Sequence, residues 1–310
     1  MNQAPQALST LQQTLQAAIR SGLERLDAQC LLLHALGRSS AERAWLLAHG
    51  DAALTPAQQQ AFTALCARRL AHEPLAYITG HKAFYGLQLA VDARVLDPRA
   101  DTETLVDWAL ELLVLPAVLS RPLSASSVRP APAQEPRSEA QALQALDLGT
   151  GSGAIALALA QATQGRTPPV QLTATDASAD ALAVAQANAQ RHQLPVYFVH
   201  GDWFAPLAGQ RFNLIVSNPP YIRAADPHLA TLQHEPLSAL ASGADGLADL
   251  RRIVQAAPAH LLPGAWLLLE HGYDQATDVR ALLQTAGFAQ VQTRCDLAGV
   301  ERCSGGALAA

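Results

Sequence analysis

The chain has 310 residues, half of them apolar, and a formal net charge of −5. That length has room for two domains with a sizeable core, and the acidic balance supplies no bulk basic field for nucleic acid, so direct nucleic-acid binding is not expected. No apolar run approaches the ~18 residues that span a bilayer, the amino terminus lacks the basic-then-apolar profile of a signal peptide, and Cys30, Cys66, Cys295 and Cys303 lie too far apart for a disulfide frame or a zinc site. A soluble, cytoplasmic protein with no metal and no membrane partner is therefore expected.

From Leu8 to Ala71 the apolar residues recur at helical spacing. Leu8, Leu11, Leu15 and Ile19 predict one helix. Leu26, Cys30, Leu33 and Leu36 predict a second, stopped by Gly37. Ser39 or Ser40 is placed to cap a short third helix through Trp45 and Leu47, and Thr55-Pro56 opens a fourth that runs through Phe62, Leu65 and Leu70 and ends near Pro74. Cys30 and Cys66 fall on apolar faces and read as core; His34, His49 and His72 have no metal-ligand spacing. Phe84 to Val91 alternates around Gly86 and predicts a hairpin. Asp101 or Thr102 is expected to cap the next helix, through Trp108 to Leu113. Residues 116–139, rich in Pro, Ser, Ala and Arg without periodicity, read as a disordered surface insert.

Strands then alternate with helices. Ala145 to Leu148 predicts a short strand. It leads into the glycine turn Gly149-Thr150-Gly151-Ser152-Gly153 and a helix from Ala154. Glycines allow close backbone approach to a ligand, and a helix amino terminus offers free N–H groups. No Gly-Lys-Ser/Thr follows, so the turn is not a phosphate-binding P-loop; it suits a nucleotide-like cofactor. Gln171 to Asp176 is a second strand ending in a carboxylate suited to a ribose diol, with Ser178 rather than Asp176 expected to cap the helix Ala179–Arg191. Val196 to His200 is a third strand, and Trp203 follows it at the same sheet edge, placed either to stack on an adenine or to fill the core.

Phe212 to Val216 is an apolar run that reads as a buried strand, and it passes directly into Ser217-Asn218-Pro219-Pro220-Tyr221-Ile222. Two prolines stop the strand because neither has an N–H to donate. Asn218, preceding proline, is pushed to extended backbone. The result is a stiff bracket with one amide side chain, carbonyls outside any ladder and the ring of Tyr221. Open α/β sheets bind ligands at this end of their strands. Such a bracket suits a planar –NH2 group: two acceptors take its hydrogens and the ring packs on its face. Beyond it, Leu250–Leu262 and Asp274–Ala286 predict helices. Ala265–Glu270, Phe288–Thr293 and the stretch after Cys303 predict strands, a doubly wound α/β sheet with a late antiparallel pair.

These stretches together resemble the bacterial release factor glutamine methyltransferases, within the class-I S-adenosylmethionine-dependent enzymes. The resemblance is carried by Pro74 to Gly80 with Phe84-Tyr85-Gly86, by Pro98-Arg99 with Thr102-Glu103, and by Asp147 to Gly153. It extends to Asn218 to Ile222, Glu235-Pro236, Gly243 to Leu247, and Glu270 with Gln275. It implies a mostly parallel Rossmann-like sheet preceded by a small all-α domain. The expected layout is a helical substrate-recognition domain at 1–75, a hairpin linker at 76–97 and the methyltransferase domain at 98–310. It implies that Gly149, Thr150, Gly151, Ser152, Gly153, Asp176, Trp203 and Asn218 hold S-adenosylmethionine, and that Asn218, Pro219, Pro220 and Tyr221 hold a glutamine. The expected reaction methylates the side-chain amide nitrogen of the glutamine in the Gly-Gly-Gln motif of class-I peptide chain release factors. The Asn218 oxygen and the Pro219 carbonyl would accept the two amide hydrogens, with Tyr221 beside them and His234 and Glu235 as the only residues considered for a general base. A ribosomal-protein glutamine, a nucleic-acid amino group, or a non-enzymatic nucleotide-binding scaffold are the alternatives.

Overall fold

A computed structural model of the chain describes residues 9–114 and 142–309. The insert expected at 116–139 lies outside the described residues. The chain divides into two compact units, Met1–His81 and Lys82–Ala310.

The first unit holds helices α1 (Leu11–Arg20), α2 (Arg25–Ala35), α3 (Arg43–Ala48), α4 (Pro56–Leu70) and α5 (Leu75–Thr79). Their starts follow the expected chemistry. Thr10 and Thr55 each accept the backbone N–H three residues on, from Gln13 and Gln58, while those glutamine side chains accept the cap residues' own N–H. Ser39, the first of the two serines considered, caps the single 3-10 turn ahead of α3. Leu31, Leu32 and Leu33 are fully buried, with Leu11, Leu54, Phe62 and Cys66 in the same cluster. α5 is an addition: α4 stops at Leu70, and Pro74 is the N-cap of α5, its carbonyl accepting the amides of Tyr77 and Ile78.

Strands β1 (His81–Phe84) and β2 (Leu87–Ala90) form a two-stranded sheet. Tyr85 and Gly86 both take positive φ, 46° and 77°, as a two-residue turn between right-twisted strands requires. In the second unit follow α6 (Glu103–Val114), β3 (Leu143–Leu148), α7 (Ala154–Ala162), β4 (Val170–Asp176), α8 (Ala179–His192) and β5 (Val196–His200). After these come β6 (Phe212–Ser217), α9 (Ala248–Ala256), β7 (Leu261–Glu270), α10 (Ala276–Thr285), β8 (Phe288–Cys295) and β9 (Glu301–Leu308). The sheet order is β5-β4-β3-β6-β7-β9-β8, parallel except that β9 runs antiparallel to both neighbours. This is the doubly wound, mostly parallel sheet that the alternation predicts.

Two helical layers explain why the central strands read as unbroken apolar runs. Alternate residues face opposite sides of a strand. Leu267 and Leu269 join a core with Leu250 and Ile253 of α9 and Val279 and Leu283 of α10. Leu268 points the other way, where a side chain at Gly305 would meet both it and Trp108 of α6. Trp108 is fully buried and meets Trp266 edge-on at 6.0 Å.

Two expectations are corrected. The helix expected to reach Leu262 stops at Ala256, and a 3-10 turn over Ala257–His260 carries the chain into β7. Pro258, without an N–H, cannot continue the helical ladder. Neither Asp101 nor Thr102 caps α6: residues Ala100–Thr102 form a 3-10 turn entered from Arg99 without a side-chain cap. Thr102 instead turns its hydroxyl toward the site below.

Candidate active site

Parallel strands release their carbonyl ends at one edge, and β3, β4 and β6 lie side by side there. A cavity of about 390 Å³ opens at that edge, bordered by Gly149, Gly151, Asp176, Trp203, Asn218 and Pro220. A second, of about 640 Å³, is bordered by Arg99, Asn218, Tyr221, Tyr273, Gln275 and Arg302. Asn218, with Leu96 and Ala239, borders both. The bracket therefore stands between two chambers, one floored by the glycine turn and one reaching exposed Tyr273.

The glycine turn divides by role. Gly149 has φ +70°, and a Cβ there would lie 3.1 Å from the Trp203 ring, so the turn and the indole share one wall. The amide of Gly151 donates to Asp176 Oδ2 at 2.9 Å. Thr150, Ser152 and Gly153 lie beneath the cavity and do not border it. Thr150 donates its hydroxyl to Asp147 at 2.7 Å, the Ser152 carbonyl accepts from Asn188 at 2.9 Å, and Gly153 leaves room for Leu157 and Ala185. Asp147 is fully buried, its Oδ1 has no hydrogen-bond partner among the described residues, and burial pushes its carboxyl up to about 7.

Ser178 caps α8 as expected, accepting from the Ala181 amide at 3.1 Å. Asp176 is not thereby left without partners: its oxygens accept from Gly151 and from the Ser178 amide. A carboxylate oxygen carries further lone pairs, and Asp176 borders the first cavity. Trp203 both borders that cavity and packs against the main core.

The bracket is fixed from three sides. Ser217 donates its hydroxyl to the Leu148 carbonyl at 2.8 Å. Ile222 exchanges backbone bonds with the Leu240–Ser242 segment, at 2.8 and 2.9 Å. The Gln275 side chain donates to the Tyr221 carbonyl at 3.0 Å while accepting from the Gly272 amide at 2.8 Å. Gly246, at φ +78°, permits this approach, since a Cβ there would overlap the Tyr221 carbonyl oxygen. The Asn218 amide donates from Nδ2 to Thr102 Oγ1 at 3.2 Å, and the residue borders both cavities. Tyr221 donates its phenol to Glu270 Oε1 at 3.2 Å, and Thr102 also hydrogen-bonds that carboxyl. Burial and the Glu270 charge push the Tyr221 phenol up.

Glu235, weighed as a base, is a structural anchor. It is 7% exposed; one oxygen accepts from the Asp97 amide and the other from Arg99. Asp97 is in turn 3.2 Å from Lys82 and 3.5 Å from Arg99. Two cations and two carboxylates thus tie Pro98-Arg99 to Glu235-Pro236, and Pro236, Ser238 and Ala239 beyond them border the first cavity.

Residues 6–80 match the family model described as the PrmC N-terminal domain, and residues 135–239 match the Methyltransferase small domain. The release factor glutamine methyltransferase of Bordetella pertussis is 48% identical over 93% of this chain and 96% of its own length. That of Xylella fastidiosa (strain Temecula1) is 46% identical over 94% and 96%. The chain belongs to the release factor glutamine methyltransferase family. A structure of the hMettl16 catalytic domain in complex with MAT2A 3'UTR hairpin 6 superposes with a TM-score of 0.51 at 14% identity, over 72% of this chain and 76% of that one, and shares the fold. Sequence reasoning missed Thr102 as part of the site and gave Glu270 no role. A usable signal existed for Glu270: like Asp176, it is a carboxylate closing an apolar parallel strand.

Proposed function

We propose that this chain transfers a methyl group from S-adenosylmethionine to the side-chain amide nitrogen of the Gly-Gly-Gln glutamine in class-I peptide chain release factors. The observation that carries the reading is Asn218, an amide held by its own nitrogen so that its oxygen serves a wall common to two cavities.

The first cavity fits the cofactor. It offers a glycine floor whose missing Cβ atoms bring backbone close, a carboxylate in Asp176 for a ribose diol and the Trp203 indole for an adenine. When bound there, S-adenosylmethionine supplies a sulfonium methyl and leaves as the thioether. Gly149, Gly151, Asp176, Trp203 and Asn218 are the residues assigned to hold it, with Thr150, Ser152 and Gly153 shaping the turn from below.

The second cavity takes the glutamine. An amide nitrogen is a poor nucleophile because its lone pair is delocalised into the carbonyl. Acceptors at Asn218 Oδ1 and the Pro219 carbonyl would hold both hydrogens, oppose that delocalisation and aim the lone pair at the methyl, while Pro220 and Tyr221 confine the group. Alignment of this kind is worth up to ~7–11 kcal/mol. The new N–C bond forms as the S–C bond breaks, and the surplus amide proton, acidic once nitrogen is methylated, passes to water. Glu235 takes no part, since Arg99 and the Asp97 amide occupy it.

The helical unit is assigned to recognition of the protein substrate. No described helix is long and apolar enough to cross a membrane, and a substrate in the translation machinery places the reaction in the cytoplasm. The test offers labelled cofactor with a release factor, a ribosomal protein and DNA in parallel. Label on the release-factor glutamine is expected; label only on ribosomal protein or DNA overturns the reading.

A further inference from the structure

Asn218 is useful only in one of its two amide orientations. A side-chain amide rotated by 180° would present N–H groups to the substrate's own N–H groups and repel it. The immediate neighbour, Thr102, does not settle the orientation by itself. A hydroxyl has one hydrogen and two lone pairs, so it can receive Nδ2 or donate to Oδ1. The hydrogen must be committed elsewhere.

It is committed to Glu270. That carboxyl closes β7, is 0% exposed, and accepts hydrogen bonds from both Thr102 and Tyr221. Its second oxygen, Oε2, is buried with no hydrogen-bond partner among the described residues. An ionised carboxyl accepts only, so it draws the Thr102 and Tyr221 protons toward itself. Thr102 then shows Asn218 only lone pairs, and Nδ2 must turn to it. A buried carboxylate with an unmatched oxygen is expensive to keep, which marks the position as serving something other than packing.

We propose that Glu270 is a positioning residue that sets the amide orientation of Asn218 through Thr102 and the place of the Tyr221 ring through its phenol. This rests on the assignment of Asn218 to the glutamine amide. Glu270 touches neither substrate nor cofactor; it acts two hydrogen bonds away. Protonation would reverse the chain: a neutral carboxyl can donate, Thr102 becomes free to turn its hydrogen to Asn218, and the productive orientation is no longer enforced.

The surroundings of Glu270 decide when that happens. Desolvation raises its carboxyl to about 7, with Asp101 adding to the rise and with Thr102, Arg302 and Tyr221 opposing it. Arg302 is shared with Asp101 at 3.2 Å and Asp296 at 3.1 Å, and Cys303 beside it stays a neutral thiol because burial and the Glu270 charge push it up. The site therefore loses its orienting charge on the acid side of about pH 7.

The experiment compares wild type with Glu270→Gln, Thr102→Val and Thr102→Ser, using a release factor as substrate and cofactor binding measured separately by calorimetry. Outer partners of a reacting group commonly affect activity about 10–100-fold. Thr102→Val and Glu270→Gln are expected to lower kcat on that scale with cofactor affinity within about threefold, while Thr102→Ser restores near-normal kcat. The wild-type rate is expected to fall below about pH 7, and Glu270→Gln to be flat across that range. Wild-type kcat in Thr102→Val, or an unchanged acid limb in Glu270→Gln, overturns the proposal. If Glu270→Gln unfolds, the Val and Ser pair still decides. Wild type that leaves the glutamine unmethylated sinks the functional reading instead, so the two failures are distinguishable.

Discussion

On the proposed reading, single residues in this enzyme divide into those assigned to face a reactant and those that hold them still. Asn218 is assigned to the first kind. Its replacement by alanine removes one oriented acceptor, and loss of one such group commonly lowers turnover about 10²–10³-fold. Asn218→Ala is expected to show that loss in a methylation assay while calorimetric cofactor affinity changes far less; full activity would refute its assignment. Gly246 is of the second kind. A left-handed backbone at φ +78° and the overlap of a Cβ with the Tyr221 carbonyl both penalise Gly246→Ala. The backbone contribution alone is about 1–3 kcal/mol. A lower thermal midpoint together with reduced turnover is expected, because the bracket must shift to make room. The proline bracket was legible in sequence and the contacts that hold it were not. Asn218 to Tyr221 announces itself because prolines fix its backbone without outside help. The Thr102 partner of Asn218 lies 116 positions away and the Glu270 partner of Tyr221 lies 49 away. Only the order of strands brings them together.

Elements were legible wherever their start carries its own chemistry. Thr55 with Pro56 and Gln58 forms the reciprocal cap that its sequence predicts. Removing that hydroxyl in Thr55→Ala is expected to lower unfolding stability by about 1 kcal/mol in urea melts without altering methyl transfer. The strands were legible for a different reason: helices on both faces demand runs such as Leu267, Leu268 and Leu269 with no polar break. Legibility failed where the same residue serves two masters. Thr102 follows an aspartate and precedes a glutamate, a pattern that reads as a helix cap, yet its hydroxyl is spent on Glu270 and Asn218. Pro258 was passed over inside an expected helix that it ends. Glu235, beside a proline in a polar loop, looked available for proton transfer; the partner that removes it from contention, Arg99, is 136 positions away.

At the scale of the whole molecule, two carboxyls among the described residues, Asp147 and Glu270, are fully buried and pushed up to about 7. Asp147 is raised in the folded state from 3.8 to about 7. Between those values the folded chain holds a proton that the unfolded chain has released. The stability contributed by Asp147 is therefore present at the acid end of that window and is lost as pH rises through it. The unfolding free energy of wild type relative to Asp147→Asn is expected to decline from about pH 4 to about pH 7 and to level off above, in urea melts at stepped pH. A difference that grows with pH would show that Asp147 is ionised in the fold. On the proposed reading, acid has opposite consequences at two carboxyls in one sheet: it supports the turn beneath the first cavity and would relax the bracket beside it.

The placement of β9 has an architectural consequence. It is the last described strand along the chain, but it fills an interior slot of the sheet, between β7 and β8. Backbone pairing on both sides of that slot is satisfied only when Glu301–Leu308 arrives, and Arg302, which faces Glu270, arrives with it. A nascent polypeptide can complete its glycine turn and its proline bracket and still hold two unzipped ladders. Completion of the sheet and of the charges around Glu270 thus depends on one and the same strand.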